Sequence, residues 1–228
     1  MLSSLRWLAL EVKYLDRAVA FYERHLDLSP TTRRESEAVL DTGGTDLVLR
    51  APSGVPRGGL HVHYALATPP DRYEEWWDRL ADTFDLVEHR FGSARSLYFY
   101  DVEGNCVEIG QRGEGAGALS GVFEVVLEVE DLDRAEAFYT DLGMDVTNRG
   151  EERKRVRLTT GRFDLELWEP HLGLADARGG VHVDVGVGAD DPAAAAARVE
   201  GRARSVAPLD GERVRVCDPD GHYVTLLE

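Results

Sequence analysis

The sequence predicts an α+β fold made of four βαβββ modules, and three observations predict it. The stretch LDRAVAFY at 15–22 returns as LDRAEAFY at 132–139, an offset of 117 with seven of eight positions identical. The phrase GGLHV at 58–62 returns as GGVHV at 179–183, and TGGTDLVLR at 42–50 as TGRFDLELW at 160–168. Within each half an alternating apolar segment, an amphipathic segment and further short alternating segments follow one another twice. The chain therefore divides into domains 1–115 (modules 1–55 and 56–115) and 116–228 (modules 116–175 and 176–228), joined near the glycine-rich GEGAGALSG at 113–121.

Each element has a local reason. Strand LALEV leads to a helix over YLDRAVAFYERHL, and strand LHVHYAL to a helix over PDRYEEWWDRLADTF, whose proline and aspartate suit a first turn. In the second half, FEVVLEV precedes DLDRAEAFYTDL, and VHVDVGV precedes DDPAAAAARVEGR, with Asp191 as cap and Pro192 at the first helical position. The stretches DVEG and DPDG read as tight turns between late strands, not as calcium loops.

Composition narrows the partners. The formal charge is −16, and Lys13 and Lys154 are the only lysines among 26 basic residues. Such an acidic chain repels nucleic acid and anionic lipid. High Asp and Glu with little Lys also suits a halophilic protein, since salt screens the self-repulsion. No apolar run reaches the roughly 18–20 residues of a membrane span, and MLSSLRWLALEV lacks the basic start of a signal peptide. The expectation is a cytoplasmic protein, monomeric or homodimeric, with a small-molecule substrate. Two cysteines, Cys106 and Cys217, do not make a disulfide scaffold.

Strand alternation assigns faces. In 58–67, His61 and His63 share one face, and Leu60, Val62 and Tyr64 the other. In 122–129, Phe123, Val125, Leu127 and Val129 take one side and leave Glu124 and Glu128 on the other. The same reading leaves Asp164, Glu166 and Trp168, Cys106 and Glu108, His182 and Asp184, and Trp7, Ala9 and Glu11 opposite the apolar wall.

LDRAVAFY and LDRAEAFY after a first strand, with DVEGNCVEIG and DPDGHYVTLL at the ends of the halves, resemble the vicinal oxygen chelate superfamily. That superfamily includes glyoxalase I, extradiol dioxygenases, and fosfomycin- and bleomycin-resistance proteins. The resemblance implies two eight-stranded, open, cup-shaped sheets with helices outside, each built from two modules. It also implies metal ligands at an early position of each first strand and at a Glu in each last strand. Carried over, module one offers Trp7 and Val48, module two His61 and Glu108, module three Glu124 and Glu166, and module four His182 and Thr225.

Module pairing then decides the chemistry. If module two pairs with three, one cup holds His61, Glu108, Glu124 and Glu166, with His63, Glu128 and Trp168 lining it. The other cup, with Trp7 and Asp184, is metal-free. If one pairs with two, the alternative site is Glu124, Glu166 and His182. We favour the first pairing. One imidazole and three carboxylates suit one divalent transition metal, Zn, Ni, Co, Mn or Fe. The resemblance implies a glyoxalase I-like lyase or isomerase acting on a hemithioacetal of a small thiol and a 2-oxoaldehyde. Glu108 is then the first candidate for the catalytic base and Glu124 the second. The alternatives are a non-catalytic binding protein of the bleomycin-resistance type and, less favoured, an extradiol dioxygenase, which would need a second His and another Glu.

Overall fold

The computed structural model describes residues 1–52, 62–115, 117–150, 155–169 and 183–228. Module one contributes β1 (Leu2–Glu11), α1 (Leu15–Leu26), β2 (Pro30–Arg33), β3 (Glu37–Asp41) and β4 (Asp46–Arg50). Module two contributes β5 (His63–Thr68), a 3-10 turn (Pro70–Arg72) running into α2 (Tyr73–Leu80), β6 (Val87–Phe91), β7 (Ala94–Tyr100) and β8 (Cys106–Gln111). Module three contributes β9 (Val122–Glu128), α3 (Leu132–Leu142), β10 (Asp145–Arg149), β11 (Arg155–Thr159) and β12 (Asp164–Trp168). Module four contributes β13 (Asp184–Ala189), α4 (Pro192–Val199), β14 (Ser205–Pro208), β15 (Val214–Cys217) and β16 (Tyr223–Leu227).

The strands form two open eight-stranded sheets, β14-β15-β16-β13-β1-β4-β3-β2 and β10-β11-β12-β9-β5-β8-β7-β6. Module one thus pairs with four through antiparallel β1 and β13, and module two with three through antiparallel β5 and β9. Residues 1–115 and 116–228 repeat in sequence, yet each sheet takes one module from either half. The pairing of module one with two does not occur. The alternative site is tied to that pairing; Glu124 and Glu166 lie in the second sheet, and His182 lies outside the described residues.

The helices form where spacing and caps favour them. In α1, Leu15, Ala18, Val19, Tyr22 and Leu26 are buried, the i, i+3, i+4 stripe of a helix on a sheet. Asp131 starts α3 by accepting the Arg134 N–H, and Asp191 starts α4 by accepting the Ala194 N–H, with Pro192 in the first turn. Beneath the helices lie wholly buried strand residues such as Leu8, Leu10, Leu47, Leu49, Tyr64, Val107, Ile109 and Val125. None of the described helices is long and apolar enough to cross a membrane.

The two most telling sequence repeats touch each other. Tyr22, ending LDRAVAFY, donates to Asp101 of the DVEG turn at 2.6 Å. Tyr139, ending LDRAEAFY, donates to Asp218 of the DPDG turn at 2.8 Å. Each aspartate also caps its own turn, Asp101 accepting from Glu103 and Asn105, and Asp218 from Asp220, Gly221 and His222. Gly221 has φ 102°, a backbone conformation that favours glycine. Each pair ties a helix of one sheet's module to a turn of the other sheet's module. That is why the motif pair recurs: it holds the halves of the repeat together across the sheets.

Candidate metal centre

Three ligand-bearing side chains converge on the open face of the second sheet. Ligand atoms of His63, Glu108 and Glu124 all lie within 4.8 Å of one another. The strand register brings them there. Ala65 on β5 stands beside Glu108 of β8 on one side and Glu124 of β9 on the other, while His63 stands beside Val126 of β9. In the next pair, Glu166 of β12 stands beside Val126. The pairs His63–Val126 and Ala65–Glu124 exchange under a two-fold relation between modules two and three. His63 is therefore the equivalent of Glu124, and Glu108 of Glu166.

The same relation in the first sheet uses Trp7–Gly186 and Ala9–Asp184, with Ala9 beside Val48 and Gly186 beside Thr225. The four equivalent positions there are Trp7, Val48, Asp184 and Thr225. The site position of module four is thus Asp184, two residues beyond His182, and that of module two is His63, two residues beyond His61. His61 and His182 themselves lie outside the described residues. Among the described residues, His63, expected to line the cup, stands with Glu108 and Glu124; His61, the expected ligand, is outside them. Alternation alone does not separate His61 from His63, because a shift of two residues preserves the face.

Each carboxylate has a different environment. Glu108 is buried, which raises its pKa, but the His63 ring and the Ser96 and Tyr98 hydroxyls outweigh this and hold it below the usual range. His63 Nε2 lies 3.1 Å from Glu108 Oε2. Burial and Glu108 push the Tyr98 phenol up, so it stays protonated and donates. Burial and the neighbouring Glu166 push Glu124 up to about 8, with Glu108 and Asp164 adding to the repulsion and Arg157 opposing it. Glu166 is engaged with arginines and an indole. It accepts from Arg155, from Arg157 Nε at 2.8 Å, and on its other oxygen from Trp168 Nε1 at 2.7 Å.

A cavity of about 770 Å³ opens over this group. Phe91, Tyr98 and Tyr100 of β6 and β7 line one wall, and Asn148, Arg155 and Trp168 of β10 to β12 line the other. Cys106 also lines it; burial, Glu108 and Asp101 push its thiol up to about 12. Glu128, expected in the cup, stands beside Trp168 but does not line the cavity.

The first sheet has spent the same positions on other contacts. Asp184 accepts from Arg50 at 2.9 Å, Arg215 at 3.2 Å and Thr225 at 2.7 Å. The Trp7 ring lies against Gly186, where a Cβ would come within 2.2 Å of it.

The second cup fits a divalent metal on three counts. Its donors are one imidazole and carboxylates, a mixed set that transition metals favour. The His63 Nδ1 is buried without a hydrogen-bond partner. Glu166, Glu108 and Asp164 each oppose ionisation of Glu124, a repulsion that a cation at the site would relieve.

Fold and site together define a protein of paired βαβββ modules with an oxygen-rich cup that holds a candidate metal site. Residues 4–109 match the family model of the glyoxalase/bleomycin resistance protein/dioxygenase superfamily. The chain is 25% identical over 112 residues to the metallothiol transferase FosB of Lysinibacillus sphaericus, covering 46% of this chain and 79% of that protein. The fold is shared with glyoxalase I from Zea mays, at a TM-score of 0.71 and 20% identity, covering 98% of this chain and 92% of that one. It is shared too with a Bacillus subtilis protein provisionally assigned as a dioxygenase, at a TM-score of 0.74 and 17% identity, covering 97% and 84%.

Proposed function

We propose that the chain is a metal-dependent, glyoxalase I-like lyase or isomerase that acts on a hemithioacetal of a small thiol and a 2-oxoaldehyde. One observation carries this reading most: His63, Glu108 and Glu124 converge under a cavity of about 770 Å³ at equivalent positions of two facing modules. The whole-chain likeness in fold to glyoxalase I supports it, as does the curated relative, whose name joins a metal and a thiol.

A divalent metal held by His63, Glu108 and Glu124 would supply Lewis acidity to two vicinal substrate oxygens. The chain's own groups divide the remaining work. Glu108 is fixed by His63, Ser96 and Tyr98, which suits a stationary ligand. Glu124 accepts from Arg157 alone among the described side chains, so its carboxylate is freer to carry a proton between the two neighbouring substrate carbons. This reverses the order expected from the sequence and makes Glu124 the first candidate for the base.

The test is thioester formation from methylglyoxal and low-mass thiols, followed in the ultraviolet, with protein reconstituted with Zn, Ni, Co, Mn or Fe. Metal-dependent thioester is the expected result, with Glu124→Gln lowering turnover roughly 100-fold or more. No thioester with any metal and thiol, together with a ligand-dependent rise in melting temperature, would turn the assignment to a binding protein.

A further inference from the structure

We propose that Arg157 is a built-in counter-cation of the metal centre, occupying one ligand oxygen of Glu124 until a metal displaces it. The inference rests on the metal reading above and concerns how the metal enters.

Arg157 stands on β11 directly across from Glu166 on β12. Its guanidinium spans the two glutamates of module three. It donates through Nε to Glu166 Oε1 at 2.8 Å and through Nη2 to Glu124 Oε2, and its Nη1 lies 3.8 Å from Asp164 Oδ2. Glu124 is also one of the three residues whose ligand atoms converge. One of its oxygens therefore has two claimants. A guanidinium and a dication on one carboxylate repel each other strongly in a half-buried site.

The two modules of this cup differ at this position. Across from Glu108 the cross-strand neighbour is Tyr98, neutral and donating; across from Glu166 it is the cation Arg157. The first sheet shows where the arginine pattern leads. There Arg215 stands across from Thr225 and, with Arg50, saturates Asp184, the equivalent of His63. Of the four equivalent positions there, one keeps a carboxylate, Asp184, and arginines hold it. The metal-competent cup is half converted: the His63–Glu108 side is open, and the Glu124–Glu166 side is held.

Arg157 has a place to withdraw to. Glu166 and Asp164 can keep it when Glu124 turns to a metal, because Glu166 is already fixed by Arg155 and Trp168. Glu166 is then the berth of the arginine and not a ligand, and the metal takes His63, Glu108 and Glu124. Without metal the arginine holds the carboxylates together; with metal it opposes binding.

The test is metal affinity. Metal-free wild type, Arg157→Gln and Arg157→Lys are titrated with Zn²⁺ and with Ni²⁺ by calorimetry against a competing chelator. Runs in two buffers of different ionisation heat separate competition by protons from competition by the guanidinium. Arg157→Gln is expected to bind about tenfold tighter or more, with Arg157→Lys between it and wild type. Circular dichroism checks that each variant folds. If Arg157→Gln does not fold, Arg157→Lys, which keeps the charge and loses the fork, still has to bind more tightly than wild type. Equal or weaker binding in the folded variants would overturn the proposal and make Arg157 a positioning residue for Glu124. Binding to none of the three proteins would overturn it together with the metal reading.

Discussion

Thr225 holds in the first sheet the place that Glu108 holds in the second. Thr225 stands beside Gly186 as Glu108 stands beside Ala65, each on a last strand parallel to the first strand of its module. The threonine donates to Asp184, and the glutamate faces His63. One scaffold thus carries a cup with a candidate metal site and a cup closed by ion pairs. Asp184→Asn should lower stability by about 1–3 kcal/mol, since it leaves half-buried arginines short of a partner. It should leave metal stoichiometry unchanged. Thermal unfolding and elemental analysis on the same sample check both halves.

The raised pKa of Glu124 sets a pH dependence. Its carboxyl is pushed up to about 8, by burial first and then by Glu166. The folded metal-free protein therefore favours the neutral form. That stabilising effect is fully present below the ordinary carboxyl range and is lost as pH rises through about 8. Metal needs the ionised form, so its apparent affinity should climb over the same window and level off above it. Binding should release about one proton per metal below that pH. Affinities measured from pH 6 to 9 by chelator competition test this, and a flat profile would contradict it.

The motif pairs Tyr22–Asp101 and Tyr139–Asp218 should matter to stability and not to chemistry. All four side chains are buried. Replacing either tyrosine with phenylalanine leaves an aspartate oxygen short of a donor, at a cost of about 1–3 kcal/mol. Tyr22→Phe also removes the 2.8 Å contact with the Tyr64 hydroxyl. Denaturant unfolding should show the loss in both variants, with the metal content of each unchanged.

Cys106 should be inert despite facing the cavity. Burial, with Glu108 and Asp101 nearby, pushes its thiol up to about 12, so little thiolate exists near neutrality. Iodoacetamide at pH 8 should label Cys106 only in unfolded protein, as read by mass spectrometry.

The fold was largely legible in the sequence because its cues are local or repeated. Alternation, the Asp191–Pro192 helix start and the two LDRA repeats each name an element. The module pairing was legible from chemistry, since only modules two and three carry glutamates in both halves of a ligand pair or beside a histidine. The choice between the two histidines was not legible. His61 and His63 share a face; the β5–β9 ladder, with Ala65 opposite Glu124, sets His63 near the glutamates, and His61 lies outside the described residues. Arg157 escaped for a related reason. It sits on an alternating strand with nothing local to mark it, and its role arises from the cross-strand partner Glu166.

The most direct test of this account is metal content in wild type, His63→Ala and His61→Ala, purified and reconstituted side by side. The account predicts about one transition metal per chain in wild type and in His61→Ala, with binding lost or greatly weakened in His63→Ala. Metal kept by His63→Ala and lost from His61→Ala would contradict the register on which the site is built.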